Sequence, residues 1–276
     1  MNDYEFSRKT VEILREIRRR KPLVHHITNF VVMNSTANVT LAVGASPIMA
    51  HSHEEMEAMA AFADALNLNI GTLTPYWVDS MILAGKVAGK RGIPIILDPV
   101  GSGATPLRTE AAGRLLEEVP VTVIRGNASE VMSLFTGGKE IRIRGVDSLE
   151  TVDAVRDGAY ATAKEMGKVI AVTGEVDFIT NGEKAIEVHN GDPMFGLVTG
   201  TGCAATTVVS CFCAVEPDPL AATACALGYY GLAGEEAARA SKGPGSFQTA
   251  LYDALYGLSE EAMMEKLRIK TIATNP

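Results

Sequence analysis

The sequence predicts an α/β fold with three layers, in which helices cover both faces of a central, mostly parallel sheet. Short apolar runs rich in β-branched residues alternate with longer helical patterns along the 276 residues. The short runs are nearly continuous in apolar residues, as is typical of parallel strands buried on both faces. Open sheets of this kind bind ligands beyond the carboxyl ends of their strands, so functional residues are expected there.

Four of the apolar runs are predicted to be strands, and a helical pattern precedes each of them. The strands are predicted at residues 66–71, 93–101, 119–127 and 168–174, and the preceding helices at residues 53–65, 76–92, 107–118 and 148–167. Polar or glycine-rich segments end these strands, at residues 98–101, 125–127 and 173–174.

The rest of the chain adds a hairpin and further helices. Between residues 176 and 189, two strand-like runs joined by Asn181-Gly182 predict an antiparallel hairpin that extends the sheet. Helices are predicted from residue 201 to about 214, from 219 to 241 and from 245 onward, and their small residues predict tight packing. The arginines at 18–20 are expected to end a first helix, where they complement its dipole.

Composition limits the class of protein. One domain spanning residues 1–276 is expected, because α/β folds often use this length for one sheet. The net charge of −8 argues against nucleic-acid binding, which needs a basic surface. No stretch approaches eighteen consecutive apolar residues, so no membrane span is expected, and the acidic start of the chain lacks a secretory pattern. The expected location is therefore cytoplasmic.

The four cysteines do not have the spacing of a disulfide framework or a zinc site. Cys211, Cys213 and Cys225 lie in apolar helical patterns and are expected to be small buried residues. Cys203 differs, because it follows a glycine turn at the start of a predicted helix, and helix N-termini lower the pKa of a thiol. The five histidines lack metal-ligand spacing and are interpreted as structural or surface residues.

The turn before Cys203, formed by Gly200, Thr201 and Gly202, is a candidate anion site. Unpaired backbone N–H groups and the positive end of the helix dipole favour an anion at such a helix start. The segment has neither the P-loop pattern nor the dinucleotide-binding glycine pattern.

Asn127 and Glu130 allow two interpretations. Their spacing is that of a capping box, with Asn127 as the N-cap of a helix. Alternatively, Glu130 and Asp98, both near the carboxyl ends of strands, surround a Mg²⁺ that bridges phosphates, with waters between. The spacing alone leaves both open.

The order of several motifs resembles the hydroxyethylthiazole kinase family from about residue 21 to about residue 255. The motifs are HHITNFVVMNSTANVTLAVGASPIMAH, ILDPVGSGAT, IRGNASE, VTG and GTGC. The combination is much more specific than any one of them. The resemblance implies a ribokinase-like fold, ATP and Mg²⁺, and phosphorylation of the hydroxyl of 4-methyl-5-(2-hydroxyethyl)thiazole in thiamine salvage. It also implies a homotrimer whose active sites lie between subunits.

The resemblance assigns roles to individual residues. It implies thiazole contacts at Met49, Gly200 and Asn29, and ATP contacts at Arg125 and Thr173 with Asn127 beside them. Considered without the family, Met49 is typical of a core residue and Thr173 of a strand end. The planar guanidinium of Arg125 suits a phosphate, and a surface salt bridge is its alternative role.

Cys203 takes the place of a catalytic aspartate found across the wider ribokinase-like superfamily, and hydroxyethylthiazole kinases resemble this chain in having cysteine there. Cys203 is therefore expected to hydrogen-bond the substrate hydroxyl and accept its proton, while the backbone of residues 200–202 stabilises the transferring phosphoryl group. The helix dipole and the nucleotide phosphates shift the pKa of this thiol in opposite directions, so the sequence leaves its direction open.

Three other functions remain open from the sequence. A ribokinase-like kinase for another small alcohol, such as a hydroxymethylpyrimidine, would differ only in its acceptor pocket. A cysteine nucleophile acting on an acyl substrate would use the glycine turn as an oxyanion hole, but no histidine lies near Cys203 in sequence to act as its base. A nucleotide-binding subunit without catalysis is the third.

Overall fold

A computed structural model describes residues 1–135 and 152–272 of the chain. Its strands are β1 (Leu23–Ile27), β2 (Ser46–Ile48), β3 (Ala65–Asn69), β4 (Ile95–Asp98), β5 (Val123–Asn127), β6 (Val169–Thr173), β7 (Asp177–Thr180), β8 (Ala185–Val188) and β9 (Ile269–Ile272). In the described residues these strands form one sheet of nine, in the order β2-β1-β3-β4-β5-β6-β7-β8-β9. The pairs from β2 to β6 are parallel, and β7, β8 and β9 continue the sheet in antiparallel pairing.

Helices cover both faces of this sheet. They are α1 (Asp3–Arg20), α2 (Met33–Val43), α3 (Met56–Phe62), α4 (Pro75–Arg91), α5 (Pro106–Glu118), α6 (Ala128–Phe135), α7 (Val152–Met166), α8 (Thr201–Cys213), α9 (Pro219–Ala240), α10 (Pro244–Gly257) and α11 (Glu260–Lys266). One core cluster joins the sheet to α1, α2 and α8–α11, and the other joins it to α3–α7. The predicted three-layer α/β/α fold with a mostly parallel sheet is confirmed.

Local sequence explains where several helices begin. Thr74, Thr105 and Asp218 each precede a proline, and each side chain accepts a hydrogen bond from a backbone N–H in the first turn of its helix. This cap gives an acceptor to a backbone N–H group that has none within the helix. Proline at the first helical position costs no hydrogen bond, because an N–H group there would have no intrahelical acceptor. The three arginines predicted to end the first helix do lie in the last turn of α1.

The predicted elements are mostly confirmed, with two kinds of difference. The strands predicted from 93 and 119 begin later, at Ile95 and Val123. Pro94 lies directly before the first and Pro120 lies three residues before the second, and a proline cannot donate to a ladder. The helix predicted over 53–65 was too long: α3 ends at Phe62, and Asp64 turns away to accept a hydrogen bond from the backbone of Leu23 at 2.8 Å. The first residues of the predicted helix 148–167 lie outside the described range.

Three strands were not predicted from the sequence. β1 contains the adjacent histidines His25 and His26, which interrupt its apolar run although both side chains are buried. Burial lowers the pKa of His26 to about 3, so its ring is neutral, and it contacts Thr40 and Asn67 by hydrogen bonds of 3.1 and 3.2 Å. His25 and His26 are thus structural residues, one of the two roles predicted for the histidines. β2 and β9 are the short edge strands.

No helix in the described parts of the chain is both long enough and apolar enough to cross a membrane.

The Asn181-Gly182 turn joins β7 to β8 and gives a test of the fold. Gly182 has φ +80°, and a Cβ there would lie 2.3 Å from the backbone nitrogen of Lys164 in α7. We expect Gly182→Ala to lower the free energy of unfolding by several kcal/mol, because left-handed strain of about 1–2 kcal/mol adds to a backbone overlap of similar size.

Gly92 is the matched control for this substitution. It also has positive φ, +67°, but a Cβ there meets nothing within 4 Å. Urea unfolding should therefore show a smaller loss for Gly92→Ala, of about 1–2 kcal/mol from strain alone. Equal losses for the two variants would contradict the packing of the hairpin on α7.

Candidate active site

The candidate site lies at the carboxyl ends of strands β3 to β6, on the face covered by α8. Side chains alternate between the two faces of a strand, and Asn69 of β3 is in register with Asp98 of β4. Asp98 is linked across to α8, where Thr206 donates to its carboxylate at 2.8 Å. Arg125 of β5 contacts Thr173 of β6 by a hydrogen bond of 2.6 Å. The alternation of four strands thus collects polar side chains beneath one helix.

The glycine turn forms the N-terminus of α8, as predicted. Gly200 is its N-cap with φ +85°, and a Cβ there would overlap Val32. This position therefore requires glycine for two reasons, its left-handed backbone and the space available. The first intrahelical hydrogen bond runs from Ala204 N to Gly200 O. The N–H groups of residues 201–203 therefore have no acceptor within the helix, and together with the helix dipole they favour a negatively charged group at this helix end.

Two further contacts hold this turn in place. The hydroxyl of Thr201 donates to the backbone oxygen of Phe195 at 2.8 Å, and the hydroxyl of Tyr230 donates to Thr201 O at 2.9 Å. The rings of Phe195 and Tyr230 stack with centroids 4.8 Å apart. The side chain of Thr201 is thus occupied in fixing the backbone, and only its N–H faces outward from the helix end.

Arg125 lies beside the start of α8 and is 9% exposed. A Cβ on Gly202 would be 3.1 Å from Arg125 Nη1, so the guanidinium lies against the glycine turn. Its Nε is buried and has no hydrogen-bond partner, and no carboxylate within the described residues forms an ion pair with it at 4.0 Å or less. The alternative role of a surface salt bridge is therefore wrong. A buried cation with an unused donor next to a helix N-terminus suits a phosphate.

Cys203 is partly accessible, whereas Cys211, Cys213 and Cys225 are buried as expected. Its Sγ accepts a hydrogen bond from Asn29 Nδ2 at 3.6 Å. Burial is the main cause that raises the pKa of the Cys203 thiol to about 11, and the nearby carboxylate of Asp98 raises it further. The direction that the sequence left open is thus upward, and the thiol holds its proton at neutral pH.

A chain of hydrogen bonds links this thiol to the sheet. Asn29 Nδ2 also donates to Asn69 Oδ1 at 2.8 Å, and Asn69 Nδ2 donates to Asp98 Oδ2 at 2.9 Å. Burial raises the pKa of Asp98 to about 6, and Arg125 opposes that shift. Sequence reasoning missed Asn69 and Thr206. For Asn69 a signal was present, since the run LNLNIG places two amides on one face of an otherwise apolar strand.

Asn127 and Glu130 do form a capping box at the start of α6. Glu130 N donates to Asn127 Oδ1 and Asn127 N donates to Glu130 Oε2, each at 2.9 Å. The other carboxylate oxygen of Glu130 accepts from Gly101 N at 2.8 Å. This contact brings the loop after β4 to the start of α6, and Glu130 is near enough to Asp98 to raise the pKa of that carboxyl.

The pair of carboxylates fits a magnesium site. Each oxygen of Glu130 keeps a spare lone pair. Asn69 and Thr206 both donate to Oδ2 of Asp98, which leaves Oδ1 of that carboxylate for a ligand, and both carboxylates lie at the same strand ends as Arg125. In residues 1–135 and 152–272 there is no cluster of three or more His, Cys, Asp or Glu side chains that could hold a metal by itself. Mg²⁺ commonly uses one or two carboxylates and completes its shell with waters and substrate phosphates.

Met49 lies one residue beyond β2, at the edge of the sheet, and is partly exposed. It belongs to neither core cluster, so the alternative of an ordinary core residue does not hold. The next residue is fixed by a hydrogen bond of 2.9 Å between its backbone oxygen and His25 Nε2. Met49 is at the same end of the sheet as the other predicted residues, two strands away from Asn69.

Comparisons with known proteins give the family of this chain. The sequence model of the hydroxyethylthiazole kinase family matches residues 14–261. The hydroxyethylthiazole kinase of Desulfosudis oleivorans is 71% identical over 272 residues, which are 99% of each chain. That of Desulfotalea psychrophila is 52% identical over 96% of each chain.

Solved structures show the same fold. The hydroxyethylthiazole kinase protein of Pyrococcus horikoshii matches with a TM-score of 0.88 at 41% identity, covering 96% of this chain and 100% of that chain. A ribokinase-like superfamily protein of Enterococcus faecalis matches with a TM-score of 0.64 at 13% identity, covering 90% and 95%, which shows the fold alone.

The matched range includes every predicted site residue, from Asn29 to Cys203. The resemblance seen in the sequence motifs is therefore confirmed over nearly the whole chain, and the fold is ribokinase-like. The protein belongs to the hydroxyethylthiazole kinase family.

Proposed function

We propose that this protein transfers the γ-phosphoryl group of ATP to the hydroxyl of 4-methyl-5-(2-hydroxyethyl)thiazole, a step of thiamine salvage. The observation that carries the proposal is the placement of Cys203. It is the accessible cysteine of the four, in the first turn of α8, beside a buried arginine with an unused donor. Family membership supplies the reaction, and this geometry supplies a place for both the alcohol and the phosphate.

The phosphates of ATP bind between Arg125 and the N-terminus of α8. The guanidinium offers a cation that is already desolvated, held by Thr173, and the N–H groups of residues 201–203 point at the same region. These groups are fixed before substrate arrives, so they stabilise charge on the transferring phosphoryl group without reorganising. Asn127, exposed at the end of β5, is the nearby side chain assigned to ATP.

Cys203 faces the alcohol. The substrate oxygen attacks the γ-phosphorus, the bond to the bridging oxygen of ADP breaks, and the hydroxyl proton moves to the Sγ of Cys203 in its thiolate form. Because the pKa of this thiol is raised to about 11, only a small fraction is thiolate at neutral pH. Phosphoryl transfer depends more on positioning and charge neutralisation than on a strong base, so a weakly populated base is sufficient. Asn29, hydrogen-bonded to the sulfur, and Met49 are the residues proposed to contact the thiazole.

The acyl-transfer alternative has no support in the site. A cysteine nucleophile needs a lowered pKa or an adjacent base. Burial instead raises the pKa of Cys203, and the described residues give its sulfur amide partners and no imidazole.

Asp98 and Glu130 are proposed to hold Mg²⁺ with waters between. When bound, the ion neutralises charge on the ATP phosphates. Glu130 is already oriented by the backbone N–H groups of Asn127 and Gly101, so the carboxylate is in place before the ion arrives.

The whole chain is proposed to act as one domain in a homotrimer with active sites between subunits. Support comes from the segment after β1, where Phe30 and Val31 are 61% and 60% exposed directly beside Asn29. Adjacent large apolar side chains at a binding site are typical of a surface covered by another chain.

The proposed role of Cys203 predicts the effect of two substitutions. With Mg-ATP and the thiazole alcohol in a coupled assay, Cys203→Ala should lower kcat by about 100- to 10,000-fold, which is the range for general-base help. Cys203→Asp should retain activity, because a carboxylate takes the same proton. Wild-type turnover with a Cys203→Ala enzyme, or preference for a hydroxymethylpyrimidine over the thiazole alcohol, would contradict the proposal.

The same two enzymes should differ in their pH dependence. Below a pKa of about 11 the thiolate fraction rises as pH rises, so the wild-type kcat should increase between about pH 7 and pH 9. The carboxylate of Cys203→Asp is already ionised over that range, so its profile should be flat.

Arg125 is predicted to act on ATP. Arg125→Ala should raise the KM for ATP by about tenfold or more, since hydrogen bonds to charged groups contribute about 1.5–3 kcal/mol. Arg125→Lys should restore little, because it lacks the planar fork. Arg114→Ala is the control: its exposed guanidinium pairs with Asp79 and Glu118 on the surface, and its KM should equal that of the wild type. Equal effects at the two arginines would argue against the phosphate site.

Glu130→Gln tests the magnesium site. We expect the Mg²⁺ concentration for half-maximal activity to rise about tenfold or more, as for other residues that support a metal. Activity at saturating Mg²⁺ should then recover most of the wild-type value, which a loss of helix capping alone would not allow. An unchanged Mg²⁺ dependence would remove Glu130 from the site.

A further inference from the structure

The turn that follows β3, residues 69–72, holds the segment that follows β1. Asn69 Oδ1 accepts hydrogen bonds from Asn29 Nδ2 at 2.8 Å and from Gly71 N at 3.0 Å. The hydroxyl of Thr72 accepts from Phe30 N at 3.1 Å. The β3 turn thus binds both the side chain of Asn29 and the backbone next to it.

Two features of this contact, a strained backbone and a very close approach, restrict which residues can form it. Thr72 has φ +44°, which a β-branched residue rarely adopts. Gly71 lies directly against Asn29, because a Cβ on Gly71 would be 2.6 to 2.8 Å from atoms of the asparagine side chain. Strained backbone persists where the surrounding structure requires it, and such positions concentrate at functional sites.

Asp98 determines which way the amide of Asn69 points. Asp98 Oδ2 accepts hydrogen bonds at 2.9 Å from Asn69 and at 2.8 Å from Thr206. An ionised carboxylate only accepts, so the NH₂ group of Asn69 must face it and the carbonyl oxygen must face Asn29. The amide of Asn29 is oriented in turn. Its Nδ2 has two hydrogens, one for Asn69 Oδ1 and one for Cys203 Sγ, while its Oδ1 accepts from Val31 N.

We propose that Asn69 is a positioning residue that holds the amide of Asn29 so that its N–H group points at Cys203 Sγ. The orientation passes from Asp98 through Asn69 and Asn29 to the sulfur that faces the alcohol. The functional part of this inference rests on the proposed role of Cys203. The physical part does not, since both amides lower the pKa of the thiol against the opposing effects of burial and Asp98.

Asn69→Ala should lower kcat by about tenfold or more and leave the KM for ATP unchanged, since it removes the hydrogen bond that orients Asn29 toward the thiol and none at Arg125. Asn67→Ala is the matched control. Asn67 lies two residues earlier on the same strand face, is equally buried and contacts His26 and Thr207. It should lose stability while keeping kcat within about twofold, because its amide contacts neither Asn29 nor Asp98.

The background of Cys203→Ala separates positioning from general damage. If Asn69 acts through the sulfur, adding Asn69→Ala to Cys203→Ala should cause no further loss of kcat. The same fold loss in both backgrounds would overturn the proposal. Gly71→Ala is a second variant, which displaces Asn29 while keeping the amide of Asn69, and it should reproduce the loss of kcat.

A measurement without turnover distinguishes this inference from the proposed function. Alkylation of Cys203 by iodoacetamide at pH 8.5, followed by peptide mass spectrometry, should be about tenfold slower in Asn69→Ala, since the thiolate loses hydrogen-bond support. Asn67→Ala should react like the wild type. An alkylation rate in Asn69→Ala equal to or above that of the wild type would overturn the inference. A fully active Cys203→Ala enzyme would overturn only the proposed role of the thiol in transfer.

Discussion

The buried carboxylate of Asp98 is the point on which the site depends. An unpaired carboxylate away from water is very unfavourable, so the surroundings of Asp98 must supply partners for the chain to fold around it. Asn69 of β3 and Thr206 of α8 donate to one of its oxygens, and Arg125 of β5 favours its charged form. Asp98 of β4 thereby holds three neighbouring elements, β3, β5 and α8, close together.

That arrangement explains how the site combines opposite demands. A phosphate requires positive potential, which Arg125 and the first turn of α8 provide. In the proposed mechanism, the proton acceptor near the alcohol must also keep its affinity for a proton beside that positive potential. The thiol of Cys203 lies between the two, with burial and Asp98 raising its pKa and the amides of Asn29 and Asn69 lowering it. The net effect is a raised pKa, so the thiol is protonated. The helix dipole alone would have lowered the pKa.

Much of the fold could be predicted from the sequence, because parallel strands buried on both faces have a strong apolar pattern. The hairpin at Asn181-Gly182 and helices α8, α9 and α10 were also predicted close to their observed bounds. β1 was missed because its histidines are buried by tertiary contacts, of His26 with Thr40 and Asn67 and of His25 with the backbone of Ala50, which no local pattern shows. Of the site, the glycine turn and the strand-end residues could be placed by local sequence and family resemblance. The link from Asp98 to Cys203 could not, because its hydrogen bonds join residues 29 to 174 positions apart.

The protonated state of Cys203 also affects how the protein withstands oxidation. Peroxides react with thiolates far faster than with thiols, and accessible thiolates of low pKa are the ones converted to sulfenic acid. Cys203 is accessible enough to meet such reagents, yet its pKa of about 11 keeps the reactive form scarce. The same burial that encloses Cys203 at the start of α8 therefore also protects its sulfur from oxidation.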